Sequence, residues 1–163
     1  MIKKKYSNVN ELVDHTNSLK RKNLIIGFTN GCFDLLHPGH LFLLSKAKEL
    51  CDFLIVALNS DSSVRSLKGL DRPVENEDLR CSKLAKLEYV DSVIVFSEVT
   101  PLDLIKQLTP QVLIKGADYI KKDIVGADYV TKNGGKVEII DILSDYSTSK
   151  LIVKINKKYS KYD

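Results

Sequence analysis

Apolar residues along this chain fall into short continuous runs that alternate with longer segments of helical spacing. The runs cover residues 23–29, 52–59, 92–96, 111–116 and 136–141. Continuous apolar runs of this length, rich in β-branched residues, are typical of strands that are buried on both faces of a sheet. The pattern therefore predicts five buried strands.

The segments between the runs predict helices. They cover residues 38–50, 77–90, 100–108, 123–135 and 147–158. Pro38 suits a first helical turn, and Gly134 with Gly135 suits a helix end. The polar stretch from 60 to 76 has no clear period, so it is predicted to be a surface loop.

Strands that alternate with helices indicate an α/β fold, a doubly wound parallel sheet with helices on both faces. No internal repeat or linker interrupts the pattern, so we expect one domain over residues 1–163, with a core from about 24 to 155 and a basic tail at each end. Ligands of such sheets bind at the carboxyl ends of the strands. Three stretches should meet there: 29–40, 115–119 and 147–150.

Charge and hydropathy argue against two classes of partner, nucleic acids and membranes. The net charge of +4 comes mostly from lysines near the two ends, without the aromatics interleaved on a basic face that nucleic-acid binding favours. No apolar run approaches the roughly 20 residues of a membrane span, and the N-terminus resembles no secretory signal. We therefore expect a cytoplasmic protein with no nucleic-acid or membrane partner. The three cysteines are too widely spaced for a metal or disulfide framework.

The stretch "TNGCFDLLHPGH", residues 29–40, holds two of the three histidines. His37 and His40 are three residues apart at a predicted helix start, so they share one face. Free N–H groups and the helix dipole attract an anion there, and Gly39 lets the backbone approach closely. The pattern suits a phosphoryl group that gains charge in a transition state. From the spacing alone, surface or capping histidines remain an equal alternative.

The string "GCFDLLHPGH" matches the G-x-F-D-x-x-H-x-G-H signature of the cytidylyltransferase-like nucleotidyltransferases, and the resemblance extends from about residue 24 to 155. Further matching stretches are "NSDSSVRSLKGLDRPV", "LRCSKLAKLEYVDSVIVF", "TPLDLIKQLTPQVLIKGADY", "VGADYVTKNGGKVEII" and "YSTSKLI". Within the family, the chain most resembles the adenylyltransferases that act on D-glycero-β-D-manno-heptose 1-phosphate.

The resemblance implies a Rossmann-like nucleotidyltransferase domain and a role for each matched residue. The residues that it implies bind the nucleotide are Cys32, Phe33, His37, His40, Lys115, Gly116, Ser147, Thr148 and Ser149. The residues that it implies bind the acceptor or its phosphate are Arg65, Asp118 and Tyr119. The residues that it implies are catalytic are His37, His40, Lys68 and Arg80, with Arg80 facing the phosphates. Asp34 either orients its loop, helps to hold Mg²⁺ or acts as a structural cap.

The implied reaction is attack by a sugar 1-phosphate on the α-phosphorus of ATP, with Mg²⁺ accompanying the ATP and with pyrophosphate released. We also expect a homo-oligomer. The alternatives are a cytidylyltransferase for glycerol 3-phosphate or a related phosphoalcohol, an FMN adenylyltransferase, and a catalytically silent nucleotide-binding module. The glycerol phosphate enzymes carry an arginine ahead of their I-S-T-T stretch, and "DILSDYSTS" has none.

Overall fold

The computed structural model describes residues 5–6, 8–117 and 123–141. All the strands in these ranges join one parallel sheet in the order β1-β4-β3-β2-β5-β6. The strands are β1 (Lys5–Tyr6), β2 (Ile26–Gly31), β3 (Phe53–Asn59), β4 (Ser92–Phe96), β5 (Val112–Gly116) and β6 (Lys136–Ile140). The helices are α1 (Val9–Arg21), α2 (Pro38–Glu49), α3 (Asp61–Lys68), α4 (Glu77–Ala85), α5 (Leu102–Leu108) and α6 (Ala127–Lys132).

Helices cover both faces of the sheet, as the sequence predicted. Successive residues of β3 point to opposite faces, so Ile55 packs in one core layer and Leu54 in the other. One layer is closed by α1, α5 and α6, and the other by α2 and α4. The predicted doubly wound, Rossmann-like fold is confirmed.

The strand order reverses between β2 and β5. From β2 the chain moves outward through β3 to β4, and it then crosses back to β5 and β6 on the other side. The loops that leave the carboxyl ends of β2 and β5 therefore run in opposite directions and leave a crevice between them. Sheets of this kind bind ligands in that crevice. The loop after β2 carries the histidine signature.

The N-terminal segment and the stretch after β3 differ from the prediction. The core begins well before residue 24, because Tyr6 and Leu12 are buried in it and β1 pairs with β4. The stretch predicted as a loop begins with helix α3, whose buried residues are only Ser63 and Val64. The predicted helix 147–158 lies outside the described residues. No helix in the described ranges is long and apolar enough to cross a membrane.

Candidate active site

The loop after β2 turns sharply before it enters α2. Phe33 and Leu35 have φ angles of 46° and 56°, in the left-handed region that residues other than glycine seldom adopt. Conformations of this kind cost energy and cluster at functional sites. The turns carry the chain from Gly31 to the start of α2 within six residues.

His37 caps helix α2 with its own side chain. Its Nδ1 accepts a hydrogen bond from the backbone N–H of Gly39 at 3.1 Å. Because Nδ1 is the acceptor, the neutral ring carries its proton on Nε2. That Nε2 is buried and has no hydrogen-bond partner among the described residues. An N–H donor is therefore available to a ligand at the helix start.

His40 stacks against His37, as the spacing of the two residues predicted. The ring centroids are 3.7 Å apart and the planes meet at 24°. The ring of Phe33 meets His40 edge to face at 5.3 Å. Like His37 Nε2, Nδ1 of His40 is buried without a partner in the described part of the chain.

Both rings are held neutral. Burial lowers the pKa of His37. The pKa of His40 falls to about 3, first through burial and then through the nearby His37 and the charge of Lys68. At neutral pH the pair therefore offers uncharged N–H donors to an anion, and the positive charge must come from other residues.

The carboxylate of Asp34 holds a second loop in place. It is buried, and it accepts from Arg72 Nε at 3.0 Å and from the backbone N–H groups of Val74 at 2.8 Å and Glu75 at 3.0 Å. Burial raises the pKa of this carboxyl, but these hydrogen bonds outweigh it and the net pKa is lowered. Of the roles left open for Asp34, its contacts match the orientation of a loop.

No magnesium ligand set is present in the described residues. No three side chains among His, Cys, Asp and Glu in these ranges lie close enough to hold a metal ion. Both oxygens of Asp34 already accept hydrogen bonds. The residues therefore do not form a magnesium site of the protein's own, and Asp34 as a metal ligand stays a prediction that its geometry does not favour.

Arg80 differs most from the role expected for it. Its side chain is 0% exposed, and it donates to the carbonyl oxygens of Glu75, Cys32 and Asn59 and to the carboxylate of Asp61 at 2.7–2.9 Å. Four of its five N–H donors are engaged inside the protein, where they join separate segments of the chain. Contact of Arg80 with the phosphates stays a prediction, and these contacts do not favour it.

Two of the other predicted basic residues lie on helix α3. Arg65 and Lys68 belong to its last turn and are exposed. The charge of Lys68 acts on the site. It adds to the effect of burial in lowering the pKa of His40, and it opposes the rise that burial gives the pKa of the Cys32 thiol.

Lys115, the next predicted residue, is buried at the end of β5 and donates to the carbonyl oxygen of Asn30 at 3.1 Å. This bond places Lys115 and Gly116 beside the end of β2. The two remaining predicted groups, Asp118 with Tyr119 and Ser147 with Thr148 and Ser149, lie outside the described residues.

Residues 28–158 match the family model described as Cytidylyltransferase-like. The chain belongs to the cytidylyltransferase-like family. The family predicted from the histidine signature is thus confirmed.

Two relatives illustrate the similarity within this cytidylyltransferase-like family. The Bifunctional protein HldE of Rhodopseudomonas palustris (strain BisB5) is 53% identical over 135 residues, which are 83% of this chain and 28% of the relative. The Bifunctional protein HldE of Caulobacter vibrioides is 53% identical over 137 residues, 84% of this chain and 28% of the relative. The chain spans less than a third of the length of these relatives.

Two solved structures share the fold. The lipopolysaccharide core biosynthesis protein of Thermoplasma volcanium is 28% identical, with a TM-score of 0.60, over 74% of this chain and 97% of the other. The pantoate-beta-alanine ligase of Francisella tularensis is 19% identical, with a TM-score of 0.65, over 96% of this chain and 78% of the other. The second likeness shows the fold alone.

Sequence reasoning missed two polar residues of this cytidylyltransferase-like site. Asn30 Oδ1 and Arg72 Nη2 are buried without a partner among the described residues. Burial raises the pKa of the Cys32 thiol, and Arg72 lies near enough for its charge to oppose that rise. The signal for Arg72 was the matched "LDRP" stretch, but a predicted surface loop gave no reason to expect burial.

Burial makes the three cysteine thiols unreactive. Cys32 and Cys51 are half-buried, Cys81 is buried, and all three are free thiols. Burial is the first cause that raises each thiol pKa, to about 11 for Cys51. A thiol with a raised pKa is a poor nucleophile at neutral pH. The backbone carbonyl of Cys32 accepts a hydrogen bond from Arg80, and contact of Cys32 with the nucleotide stays a prediction.

Proposed function

We propose that this chain transfers AMP from ATP to D-glycero-β-D-manno-heptose 1-phosphate and releases pyrophosphate. The observation that carries the proposal is the buried, unpartnered Nε2 of His37, stacked with His40 at the start of α2. A buried donor without a partner costs roughly 1–3 kcal/mol, so such a group is expected to bind a ligand acceptor. A phosphate oxygen at a helix N-terminus is a fitting acceptor.

The reaction needs no general base from the chain. The acceptor phosphate is already ionised at neutral pH, and one of its oxygens attacks the α-phosphorus in line. The new bond joins that oxygen to the α-phosphorus, the bond from the α-phosphorus to the bridging oxygen breaks, and pyrophosphate leaves with the electron pair. Catalysis then consists of positioning and of stabilising charge.

The described residues supply both effects. The Nε2–H of His37 and the start of α2 donate to phosphate oxygens whose charge rises as the bond breaks. Lys68 and Lys115 bring positive charge from the ends of α3 and β5. Magnesium is proposed to arrive with the triphosphate, since magnesium is commonly bound through substrate phosphates.

The choice of acceptor and nucleotide rests on similarity. The stretches "IKGADY" and "DYSTSK" most resemble the heptose 1-phosphate adenylyltransferases. Relatives that are 51–53% identical to this chain carry the name Bifunctional protein HldE. The predicted contacts of Asp118, Tyr119 and Ser147–Ser149 with substrates belong to this proposal. So do assembly into a homo-oligomer and a cytoplasmic location.

A panel assay tests the function. Purified protein is incubated with each of four nucleoside triphosphates, paired with heptose 1-phosphate, glycerol 3-phosphate or FMN, and pyrophosphate release is measured. We expect release with ATP and the heptose. Release only with CTP and glycerol 3-phosphate would favour the cytidylyltransferase, and no release with any pair would favour a silent binding module.

A further inference from the structure

Arg80 joins three segments of the chain: the histidine loop, the junction between β3 and α3, and the loop before α4. Its Nη1 donates to the carbonyl oxygens of Cys32, in the histidine loop, and of Asn59, the last residue of β3, both at 2.8 Å. Its Nε donates to the carbonyl of Glu75 at 2.9 Å, and its Nη2 donates to the carboxylate of Asp61, the first residue of α3, at 2.7 Å. One side chain thus fixes the spacing of these segments.

The buried ion pair of Arg80 and Asp61 is not an efficient way to stabilise the fold. Arg80 is fully buried, and its carboxylate partner Asp61 is 22% exposed. Removing two charges from water can cost more than their attraction returns, so a buried ion pair is weak evidence for a stabilising role. The five donors of a guanidinium are fixed in one plane, however, and they define the directions of their acceptors. The contacts of Arg80 are therefore better explained by the positions that they impose on these acceptors than by a gain in stability.

The histidine loop and the loop at residues 72–75 are joined a second time, through Asp34. Glu75 is held on both sides, because its N–H donates to Asp34 at 3.0 Å and its carbonyl accepts from Arg80. The N–H of Asp61 also donates to Glu77 Oε1 at 3.2 Å, which joins the starts of α3 and α4. The histidine loop and α3 are therefore positioned through shared partners.

We infer that Arg80 and Asp61 form a positioning pair that sets the histidine loop relative to helix α3, and so sets His37 and His40 relative to Lys68. This inference rests on the proposed function for its catalytic meaning. Arg80 acts through the Cys32 carbonyl, five residues before His37. Asp61 acts through α3, which carries Lys68 in its last turn.

The test compares Asp61→Asn, Arg80→Lys and the double variant with a matched control, Asp78→Asn. Asp78 also lies in the first turn of a helix and also pairs with a cation, Lys5 at 3.4 Å, but its side chain is 86% exposed and away from the site. Pyrophosphate release gives kcat and KM for ATP per folded molecule. Amide hydrogen exchange of residues 31–37 and 61–68 gives the local order of the two segments without any substrate.

The pair predicts a loss of turnover with the fold retained. Asp61→Asn should lower kcat about 10–100-fold, the scale of small misplacements of reacting groups, and should speed exchange in both segments. Because the two residues act as one unit, the double variant should lose little more than Arg80→Lys alone. The Asp78→Asn protein should match the wild type in kinetics and in exchange.

Wild-type kcat with unchanged exchange in folded Asp61→Asn would overturn the inference, even if Arg80→Lys failed to fold. A lower melting temperature with normal kcat would do the same, since it would assign the pair to stability alone. If the wild type releases no pyrophosphate, the proposed function fails. Exchange in Asp61→Asn then still decides whether the pair orders the two segments.

Discussion

The imidazole rings of His37 and His40 lie face to face, with centroids 3.7 Å apart and planes 24° from parallel. At this distance a proton on one ring places its charge directly against the other. The pair is therefore stable when both rings are neutral, in agreement with the lowered pKa of each. The site presents oriented N–H donors that do not lose their character over the physiological pH range.

Replacing either histidine of this pair removes a donor from the phosphate site. His37→Ala or His40→Ala should lower kcat by at least about 10²-fold, the scale of losing one transition-state donor, while circular dichroism shows an intact fold. His15→Gln is the matched control, because the third histidine packs between Tyr6 and Phe53. Near-normal turnover in either site variant would refute the assignment.

The low pKa of His40 predicts how stability depends on pH. The unfolded chain gains a proton near pH 6.5, whereas folded His40 stays neutral until about pH 3. The unfolded state thus binds more protons in this window, so the free energy of unfolding falls as pH falls, by up to about 1.4 kcal/mol per pH unit for one proton. Above pH 6.5 the contribution is fully present.

The replacement His40→Gln removes this titration. Urea unfolding at pH 7.0, 5.5 and 4.5 should show a smaller loss of stability in the variant than in the wild type. The lowered pKa of Asp34 affects stability only below the ordinary pKa of an aspartic acid, outside these three pH values. Parallel curves for the two proteins would contradict the buried, neutral state of His40.

Asp34→Asn separates loop orientation from metal binding. The variant leaves Arg72 without its carboxylate, and breaking a buried pair of this kind costs about 3–5 kcal/mol. We expect a lower free energy of unfolding and a lower kcat, with an unchanged Mg²⁺ concentration for half-maximal rate. Asp52→Asn is the control, because Asp52 accepts from the Ile25 N–H at the amino-terminal ends of β2 and β3, at the opposite end of the strands from Asp34. A several-fold higher Mg²⁺ requirement at unchanged stability would instead make Asp34 a metal ligand.

Lys115→Met tests the end of β5. The side chain is buried beside the end of β2, so loss of its charge should weaken binding of ATP or of the acceptor, with KM rising about tenfold, the scale of one charge-assisted hydrogen bond at roughly 1.5–3 kcal/mol. Lys136→Met provides the control, because Lys136 begins β6 at the opposite end of the strands. Unchanged KM values for both substrates would remove Lys115 from the site.

Buried strands were the part of the fold that the sequence determined most clearly. The run at residues 92–96 coincides with β4, and the other four runs differ from their strands by at most three residues at an end. The prediction failed for two helices whose sequences show no clear apolar face. Helix α3 buries only Ser63 and Val64, so it produces no apolar period, and α1 was hidden by its polar composition.

The candidate site was likewise predicted only in part. The spacing of His37 and His40 fixed their shared face, because two residues three apart at a helix start must be neighbours. The roles of the arginines depend on contacts far apart in sequence. Arg80 reaches Cys32 across 48 positions, and Arg72 reaches Asp34 across 38. No local pattern distinguishes a buried positioning arginine from one that contacts phosphate.

The central claim is the transfer of AMP to a heptose 1-phosphate, and one competition measures it directly. Purified protein receives D-glycero-β-D-manno-heptose 1-phosphate with equal ATP and CTP, and the products are separated and identified by mass. We predict that ADP-heptose accumulates together with an equal amount of pyrophosphate. A CDP-linked product in excess, or activity only when glycerol 3-phosphate replaces the heptose, would contradict this assignment.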